Sequence, residues 1–181
     1  MKFHASELEG AWVIEPERHE DERGFFARTW DRDDFARLGL QDLIVQTSIS
    51  YTRRRGTLRG LHYQAAPHGE AKLVRCTSGA IFDVAVDLRP ESATFRRWAG
   101  VELTEENRHA LYIPKGCAHG FLTLAHDSEV AYQMSAPFVA EAARGIRYDD
   151  TAFAIAWPGE IVVINDRDRS YPDFRPNEVG S

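Results

Sequence analysis

The sequence predicts an all-β protein, a double-sheet jelly-roll sandwich with few short helices. Short apolar runs separated by turn residues fill most of the 181-residue chain. β-branched and aromatic residues crowd these runs, as they do in strands. No clear repeat, low-complexity segment or linker interrupts the chain before its tail, and cores of this size seldom divide. We therefore expect a single domain over residues 1–181.

The predicted strands are short and closely spaced, as the two sheets of a jelly roll require. In chain order they are Trp12–Glu15, Phe25–Trp30, Leu43–Tyr51, Thr57–Gln64, Ala71–Thr77, Ile81–Leu88, Arg97–Leu103, His109–Ile113, Gly120–Ala125, Glu129–Met134 and Ile161–Ile164. Ser78-Gly79 is predicted to be a hairpin turn, and Pro114-Lys115-Gly116 to be a second turn.

One segment is predicted to be helical, and the C-terminus is expected to be an extended tail. Asp31 is a suitable N-cap, acidic residues follow it, Arg37 lies near the end and Gly39 is a typical stop signal. Residues 170–181 contain two prolines and few apolar side chains, which favours an extended conformation.

Composition excludes several classes of protein. The formal net charge of −6 argues against nucleic-acid binding, although a local cluster of Arg can still hold a small anion. Cys76 and Cys117 cannot form the disulfide framework of a secreted domain. The N-terminus lacks the apolar stretch of a signal peptide, and no run approaches the ~20 apolar residues of a membrane helix. We expect a soluble, cytoplasmic protein without a membrane partner.

Two polar side chains interrupt predicted strands. His62 lies in the middle of the predicted strand Thr57–Gln64. It is either a catalytic residue or a packing residue whose ring is hydrogen-bonded. Lys72 heads the apolar run Leu73-Val74, and an ammonium without a partner is costly to bury. Lys72 is therefore either a functional residue with a partner or a residue at the edge of a sheet with its amine in solvent.

Two further side chains lie close to predicted turns or faces. His119 falls between a turn and a strand, beside Gly120, which could let a ligand approach the backbone. Tyr132 shares a strand face with Val130 and Met134 and is expected to point inward. A core aromatic with a satisfied hydroxyl is the alternative interpretation.

The sequence does not favour a metal site. Cupin jelly rolls often bind a metal through two His two residues apart, a following Glu or Gln, and a later His. Gln64 stands in the place of the second His, and no Glu follows at the expected spacing before Gly79. Only His119 fits as a late ligand, and two distant His make a poor site. We predict no metal and no other cofactor.

A series of motifs resembles the dTDP-4-dehydrorhamnose 3,5-epimerase family in order and spacing, over about residues 10 to 170. The motifs are Asp21-Glu22-Arg23-Gly24-Phe25-Phe26, Leu58-Arg59-Gly60-Leu61-His62-Tyr63-Gln64, Ala71-Lys72-Leu73-Val74-Arg75, Asp83-Val84-Ala85-Val86-Asp87-Leu88-Arg89, Ile113-Pro114-Lys115-Gly116, Ala118-His119-Gly120-Phe121 and Ile155-Ala156-Trp157-Pro158. The resemblance implies a metal-free cupin jelly roll, a homodimer, and a substrate of the dTDP-4-dehydro-6-deoxy-glucose type.

The same resemblance implies roles for individual residues. His62 would accept a proton, Tyr132 would donate one, and Lys72 would face the C4 oxygen of the sugar. Asp168 would hold His62 in its working tautomer, and Asp83 is a second acid that could support this site.

Further residues match binding positions of the family. Those for the diphosphate and sugar are Arg23, Arg59, His119 and Arg167, and those for the nucleotide are Gln46 and Phe138, the latter stacking on the base. The departures also fall on the nucleotide side: Arg28 replaces a usual Glu, Ser48 an Asn, Ala143 a common Glu, and Phe138 a Tyr. The Glu-to-Arg change reverses a charge, so CDP- and GDP-linked sugars stay open as alternatives to dTDP.

These residue types suit proton abstraction beside a ketone. Such a hydrogen is far less acidic than a histidine of pKa ~6.5, so the enolate oxygen needs a fixed cation. Inversion needs a second proton source across the ring. The sequence therefore predicts an isomerase of deoxysugar biosynthesis that epimerises C3, C5 or both of a nucleotide-linked 4-dehydro-6-deoxyhexose. The alternatives are a single-carbon epimerase, a metal-dependent cupin isomerase or dioxygenase, and a non-catalytic sugar-nucleotide binder.

Overall fold

The computed structural model describes residues 1–176. Within them the strands are, in chain order, β1 (Lys2–Ala5), β2 (Trp12–Glu15), β3 (His19–Asp21), β4 (Gly24–Phe26), β5 (Gln46–Thr52), β6 (Leu58–Gln64), β7 (Lys72–Ser78), β8 (Ala80–Asp87), β9 (Trp98–Thr104), β10 (Ala110–Ile113), β11 (Cys117–Thr123), β12 (Ser128–Met134) and β13 (Ala143–Gly145).

Two antiparallel sheets carry the architecture. In the described residues the first has the order β1-β2-β10-β7-β12-β5 and the second β13-β6-β11-β8-β9, while β3 and β4 form a separate ribbon. Apart from the pairs β1-β2 and β8-β9, neighbouring strands in these sheets are not consecutive in the chain, as in a jelly roll. The prediction of an all-β, cupin-type jelly roll is confirmed.

The core lies between the two sheets. Val74 and Val130 of the first sheet pack in one cluster with Ile81, Ala85 and Phe121 of the second, and each is fully buried or nearly so. Burying a side chain such as Phe121 contributes about 1.5–3 kcal/mol. This cluster fills the sandwich except at the end where β5, β6 and β13 lie, which leaves room there for a pocket.

The outer face of the first sheet is covered by α1 (Arg32–Arg37), which forms where the sequence predicts a helix. The Asp31 side chain caps it by accepting hydrogen bonds from the backbone N–H groups of Asp33 and Asp34. Gly39 follows with φ +69°, a conformation that glycine adopts without strain. Phe35 is buried beneath the helix, with its ring 5.8 Å from that of Tyr112.

The outer face of the second sheet is covered by the chain after β13. Phe153 and Phe174 pack here with ring centroids 4.9 Å apart. A second helix, α2 (Asp166–Arg169), lies against β6 and is capped by Asn165. The sequence analysis missed α2 because its four charged residues show no apolar periodicity.

The predicted tail is part of this cover. Residues 171–175 form no helix or strand, but Phe174 packs on the domain and its N–H donates to Asp150 at 2.6 Å. Residues 177–181 of the predicted tail lie outside the described part of the chain. Within that part, neither helix has the length and apolar character needed to cross a membrane.

Two local predictions are wrong. Ser78-Gly79 is a turn, with Gly79 at φ +74°, but β7 and β8 belong to different sheets and do not pair, so it is not a hairpin. Ile161–Ile164 is not a strand. Val163 forms an isolated parallel bridge to Thr57 at the start of β6, and Val162 remains half exposed.

The remaining strand predictions differ at their ends. The strand predicted over Phe25–Trp30 stops at Phe26, and that predicted from Leu43 begins at Gln46. β11 begins at Cys117, so His119 lies inside a strand and not before one. The edge or ribbon strands β1, β3 and β13 were missed because they are short and largely exposed, without buried alternation.

Candidate active site

A pocket of about 250 Å³ opens between the two sheets, at the end that the core leaves unfilled. It is smaller than the ~300–1,000 Å³ of a site that encloses a drug-sized ligand, so it can enclose only part of an extended one. Six residues singled out from the sequence line it: Gln46, His62, Lys72, Tyr132, Phe138 and Arg167.

His62 is held by a carboxylate from the C-terminal segment. Its Nε2 lies 2.6 Å from Oδ1 of Asp168, which α2 presents from behind and which is fully buried. Burial raises the pKa of Asp168, but hydrogen bonds from His62 and from the N–H of Gly60 outweigh it, and the pKa lies below its ordinary value. An ionised carboxylate only accepts, so Nε2 carries the hydrogen and Nδ1 keeps its lone pair.

Two glycines let β6 and β11 approach closely beside the His62–Asp168 pair. A Cβ on Gly60 would lie 2.5 Å from the Cα of Gly120, and one on Gly120 would lie 2.7 Å from the carbonyl oxygen of Arg59. The Gly60 N–H is thereby free to donate to Oδ2 of Asp168 at 3.1 Å. The expectation that Gly120 admits a ligand is wrong, since the neighbouring strand occupies that space.

Lys72 is buried and paired, which excludes the alternative of an edge lysine with its amine in solvent. Its side chain is 13% exposed, and Nζ lies 3.2 Å from Oε1 of Glu70. It also donates to the carbonyl oxygen of His62 at 3.2 Å. The ammonium is therefore fixed between β7 and β6, on the wall of the pocket.

Tyr132 points inward from β12, as its strand alternation predicts. Its ring packs against the core between the sheets, and its hydroxyl lies 3.1 Å from that of Ser50 on β5. Burial raises the pKa of Tyr132 well above its ordinary value, although the Ser50 contact opposes the shift. The phenol therefore stays protonated at neutral pH and is equipped to donate.

A second imidazole–carboxylate pair lies beside the first. His119 on β11 is the direct cross-strand partner of His62 on β6, and its ring centroid is 6.0 Å from that of Tyr132. Its Nε2 lies 2.7 Å from Oδ1 of Asp83, and both residues are buried. Asp83 thus supports His119 and not His62, which corrects the expectation that it could support the site of His62.

The rim of the pocket is apolar and more open. Phe138 is 64% exposed, and its backbone N–H donates to the side chain of Gln46 at 2.8 Å. Gln64 holds the same loop through hydrogen bonds to the backbone of Pro137 and Val139. Ala143, on β13, also lines this rim. An exposed aromatic ring over an apolar opening is suited to stack on a flat ligand group.

The remaining predicted binding residues do not line the pocket. Arg23 lies on the ribbon of β3 and β4 with its side chain 84% exposed and paired with Asp21. Arg28 makes an ion pair with Asp31 at 2.8 Å. Arg59 donates to Thr52 and Tyr51 on the neighbouring sheet.

Ser48 lies on β5, directly opposite Tyr132 in the register of the two strands, and is exposed. It therefore lies next to the pocket wall without forming part of it.

Several pocket residues were missed by the sequence analysis. Glu70, Met134, Ala136 and Arg144 line the pocket, and Ser50 contacts the phenol of Tyr132. Glu70 had a signal, since it lies two residues before a lysine that needs a partner. Ser50 had none, because only the three-dimensional pairing of β5 with β12 brings it near Tyr132.

The arrangement separates an acid and a base across a cleft. His62 belongs to the second sheet, while Lys72 and Tyr132 belong to the first. A ligand in the pocket would meet a proton acceptor on one side and a protonated phenol on the other, with an ammonium nearby. Within residues 1–176 no three His, Cys, Asp or Glu side chains are grouped as a metal site would need.

Comparison with known proteins agrees on one family. The family model described as dTDP-4-dehydrorhamnose 3,5-epimerase matches residues 5–176. A dTDP-4-dehydrorhamnose 3,5-epimerase of Methanothermobacter thermautotrophicus is 44% identical over 99% of this chain and 97% of that relative. A dTDP-4-dehydrorhamnose 3-epimerase of Streptomyces niveus is 35% identical over 93% of this chain and 82% of its own length.

The solved structures agree as well. The crystal structure of dTDP-4-dehydrorhamnose 3,5-epimerase from Elizabethkingia anophelis superimposes with a TM-score of 0.93 at 37% identity. The match covers 96% of both chains.

Proposed function

The chain belongs to the dTDP-4-dehydrorhamnose 3,5-epimerase family of isomerases, and we propose that it converts dTDP-4-dehydro-6-deoxy-D-glucose to dTDP-4-dehydro-L-rhamnose by inverting C3 and C5. The reaction serves deoxysugar biosynthesis. The observation that carries the proposal is the division of the reactive groups between two facing sheets, with His62 on one and Tyr132 and Lys72 on the other.

The proton path follows from this geometry. Nδ1 of His62 takes the proton from the carbon beside the C4 ketone, and the electron pair of the broken C–H bond forms the enolate. The Lys72 ammonium stabilises the negative C4 oxygen, a contribution that is large in a site closed to water. Asp168 stabilises the imidazolium that His62 becomes.

Reprotonation comes from the opposite wall. The hydroxyl of Tyr132 gives its proton to the other face of the carbon, the enolate electrons form the new C–H bond, and the configuration inverts. Both groups then return to their starting states by exchange with solvent. Without a donor on the second wall, His62 could only return the proton to the face it came from.

The nucleotide and diphosphate occupy the rim. Phe138 stacks on the base and Gln46 fixes the loop that carries it, while Arg167, which lines the pocket, binds the diphosphate. Arg59 and His119 lie outside this lining, and their assignment to the sugar and diphosphate follows from the family resemblance. The names of the family relatives support thymine as the base. Arg28 replaces a usual acid, but it is paired with Asp31 and is not among the residues that line the pocket, so its charge does not argue against thymine.

The protein acts as a homodimer in the cytoplasm. The edge strand β5 exposes Ile49, the segment before it exposes Leu43 and Val45, and β4 of the separate ribbon exposes Phe26. A second copy that covers them would bring Arg23 and its ribbon to the partner's pocket, where Arg23 would meet the diphosphate and Ser48 would lie at the contact. Two free cysteines suit a reducing compartment.

The domain organisation is also part of the proposal. All the residues assigned to the reaction lie within one sandwich, so the chain acts as a single-domain enzyme. No residue beyond Asp168 enters the proton path.

Proton NMR in deuterated water tests the reaction. The enzyme is incubated with dTDP-4-dehydro-6-deoxy-D-glucose, and the signals of H3 and H5 are followed. We expect both signals to disappear and the L-rhamno product to form. Loss of one signal alone would indicate the single-carbon epimerase, as the Streptomyces niveus relative is named. Retention of both signals would contradict the proposal.

Calorimetry tests the nucleotide. Titration with dTDP, CDP and GDP is expected to show the tightest binding for dTDP. Tighter binding of CDP or GDP would show that the sugar is linked to a different nucleotide, and it would leave the proposed epimerisation chemistry unchanged.

Complementation tests the dimer. Arg23→Ala and His62→Ala variants are each inactive or weak, but a mixed dimer would contain one pocket with both residues intact if Arg23 acts across the interface. We expect activity to recover on refolding the two variants together. No recovery, together with a monomeric mass in light scattering, would show that Arg23 does not serve a partner's pocket.

A further inference from the structure

We propose that Glu70 is a positioning residue for the reaction, which holds the Lys72 ammonium charged and aimed at the C4 oxygen of the sugar. The inference rests on the proposed function, because it concerns the work of Lys72 in that reaction. It adds a residue to which neither the sequence motifs nor the family relatives assign a role here.

The geometry fixes two of the three N–H donors of the ammonium. One is directed to Oε1 of Glu70 at 3.2 Å and another to the carbonyl oxygen of His62 at 3.2 Å. An ammonium has three donors, so one remains for a ligand. Because both Glu70 and Lys72 line the pocket, that donor is available to a carbonyl oxygen within it.

The burial of Glu70 is costly and is not explained by the fold. Its side chain is 8% exposed, and its Oε2 is buried without a hydrogen-bond partner. A half-satisfied buried carboxylate destabilises a protein, and such local conflicts concentrate at functional sites. The neighbouring ammonium is the group that makes this burial tolerable, and the two residues therefore act as a unit.

The charges around Lys72 show why a carboxylate is needed. Among the described residues that line the pocket, Glu70 is the only acid. Besides Lys72 itself, the other charged or titratable groups that line it are Arg144 on β13, Arg167 on α2, His62 and Tyr63 on β6 and Tyr132 on β12. Two guanidinium groups disfavour a third cation, whereas an adjacent carboxylate favours it. Glu70 is thus the one acid of the described lining that can compensate the charge of Lys72, and it does so from 3.2 Å.

Glu70→Gln tests the charge, since it keeps the shape and one acceptor oxygen. With the carboxylate removed, the amine of Lys72 loses its proton at lower pH. We expect the alkaline limb of the kcat profile to move down by about one pH unit, a tenfold loss of kcat on that side, with little change in KM. Glu15→Gln is the matched control, because Glu15 makes a similar ion pair with Lys2 at 3.0 Å on the surface. Its profile should equal that of the wild type.

Amine labelling measures the effect of Glu70 on the Lys72 amine directly, in the absence of substrate. The lysines of the chain are Lys2, Lys72 and Lys115, so mass spectrometry after brief acetic anhydride treatment resolves each one. In Glu70→Gln the labelling of Lys72 should begin about one pH unit lower than in the wild type. Lys2 and Lys115 serve as internal references that should not change.

The outcomes separate this inference from the proposed function. Unchanged pH profile and unchanged labelling of Lys72 in Glu70→Gln would overturn the inference. A wild-type enzyme that exchanges no carbon-bound hydrogen would overturn the proposed function, while the labelling would still report whether Glu70 holds the ammonium. If Glu70→Gln fails to fold, Glu70→Asp provides the test. It keeps the charge but withdraws it from Lys72, so kcat should fall with the alkaline limb in place, and an unaltered kcat would contradict the inference.

Discussion

The inner end of the pocket and its outer rim are built in different ways. At the inner end, Asp168 is fully buried and the Lys72 side chain is 13% exposed, and each has fixed partners. At the rim, Phe138 is 64% exposed. The Arg23 side chain, which we propose reaches the rim of a partner's pocket, is 84% exposed on a separate ribbon. Groups that stabilise charge in a transition state must be in place beforehand. Groups that only bind can gain their order from the ligand or from a partner.

This difference predicts how substitutions divide. Changes at the inner end should lower kcat, because those contacts strengthen in the transition state. Changes at the rim should raise KM, because they bind substrate and transition state alike. A kcat effect from the rim, or a pure KM effect from the inner end, would break the comparison.

His62→Ala should have the largest effect. It removes the proton acceptor and leaves the Asp168 carboxylate buried without its imidazole, and loss of a general base costs up to about 10⁴-fold in rate. Deuterium uptake at both carbons should fall by about 10³-fold or more in the NMR assay. His126→Ala is the control, since His126 is an exposed loop residue. Uptake at the wild-type rate in His62→Ala would remove His62 from the mechanism.

Lys72→Met should come next. Removing one donor to an oxyanion costs about 2.7–4 kcal/mol, which is about 10²–10³-fold in kcat. Because the substitution also strands the buried Glu70 carboxylate, the double variant Lys72→Met/Glu70→Gln is measured beside it. If the double variant recovers stability in thermal unfolding but not kcat, the loss belongs to the ammonium. Recovery of kcat would show that the stranded carboxylate caused the defect.

Tyr132→Phe should separate the role of His62 on one wall of the pocket from that of Tyr132 on the other. The ring still packs in the core, so the fold is kept, but the proton donor is lost. We expect exchange on the His62 side to continue within a few-fold, while formation of the inverted product falls by at least about tenfold. Solvent exchange and product formation are read from the same NMR spectra. Equal losses of both would indicate that Tyr132 does not act on a separate face.

The sequence predicted the inner end better than the rim, for a physical reason. A buried histidine, lysine or tyrosine needs a hydrogen-bonding partner, so such a residue within an apolar strand indicates a candidate functional site. Even there, Asp168 was assigned by resemblance alone, because no local pattern shows that a short charged helix packs behind β6. The pairing of Ser50 with Tyr132 and of Asp83 with His119 likewise depends on register, which the sequence does not show.

For the fold as well, some features could be predicted from the sequence and others could not. Strands rich in buried apolar residues, such as β7 and β12, were predicted within a residue or two, since their apolar and β-branched side chains indicate burial. The turn at Ser78-Gly79 was recognised but its consequence was not. A glycine with positive φ marks a change of direction, and only the packing of two sheets decides whether the next strand pairs with the last or crosses to the other sheet.

Phe138→Ala should have the smallest effect and one confined to binding. Stacking of an aromatic side chain on a base contributes about 1–3 kcal/mol, so KM for the dTDP sugar should rise about tenfold or more. The kcat should stay within about twofold, because the base lies away from the reacting carbons and its contact does not strengthen in the transition state. Phe138→Tyr is the matched control and should keep the wild-type KM, since a phenol ring stacks equally well. A fall in kcat for Phe138→Ala without a change in KM would show that the rim shapes the reactive geometry, and the two ends of the pocket would then have to be treated as one unit.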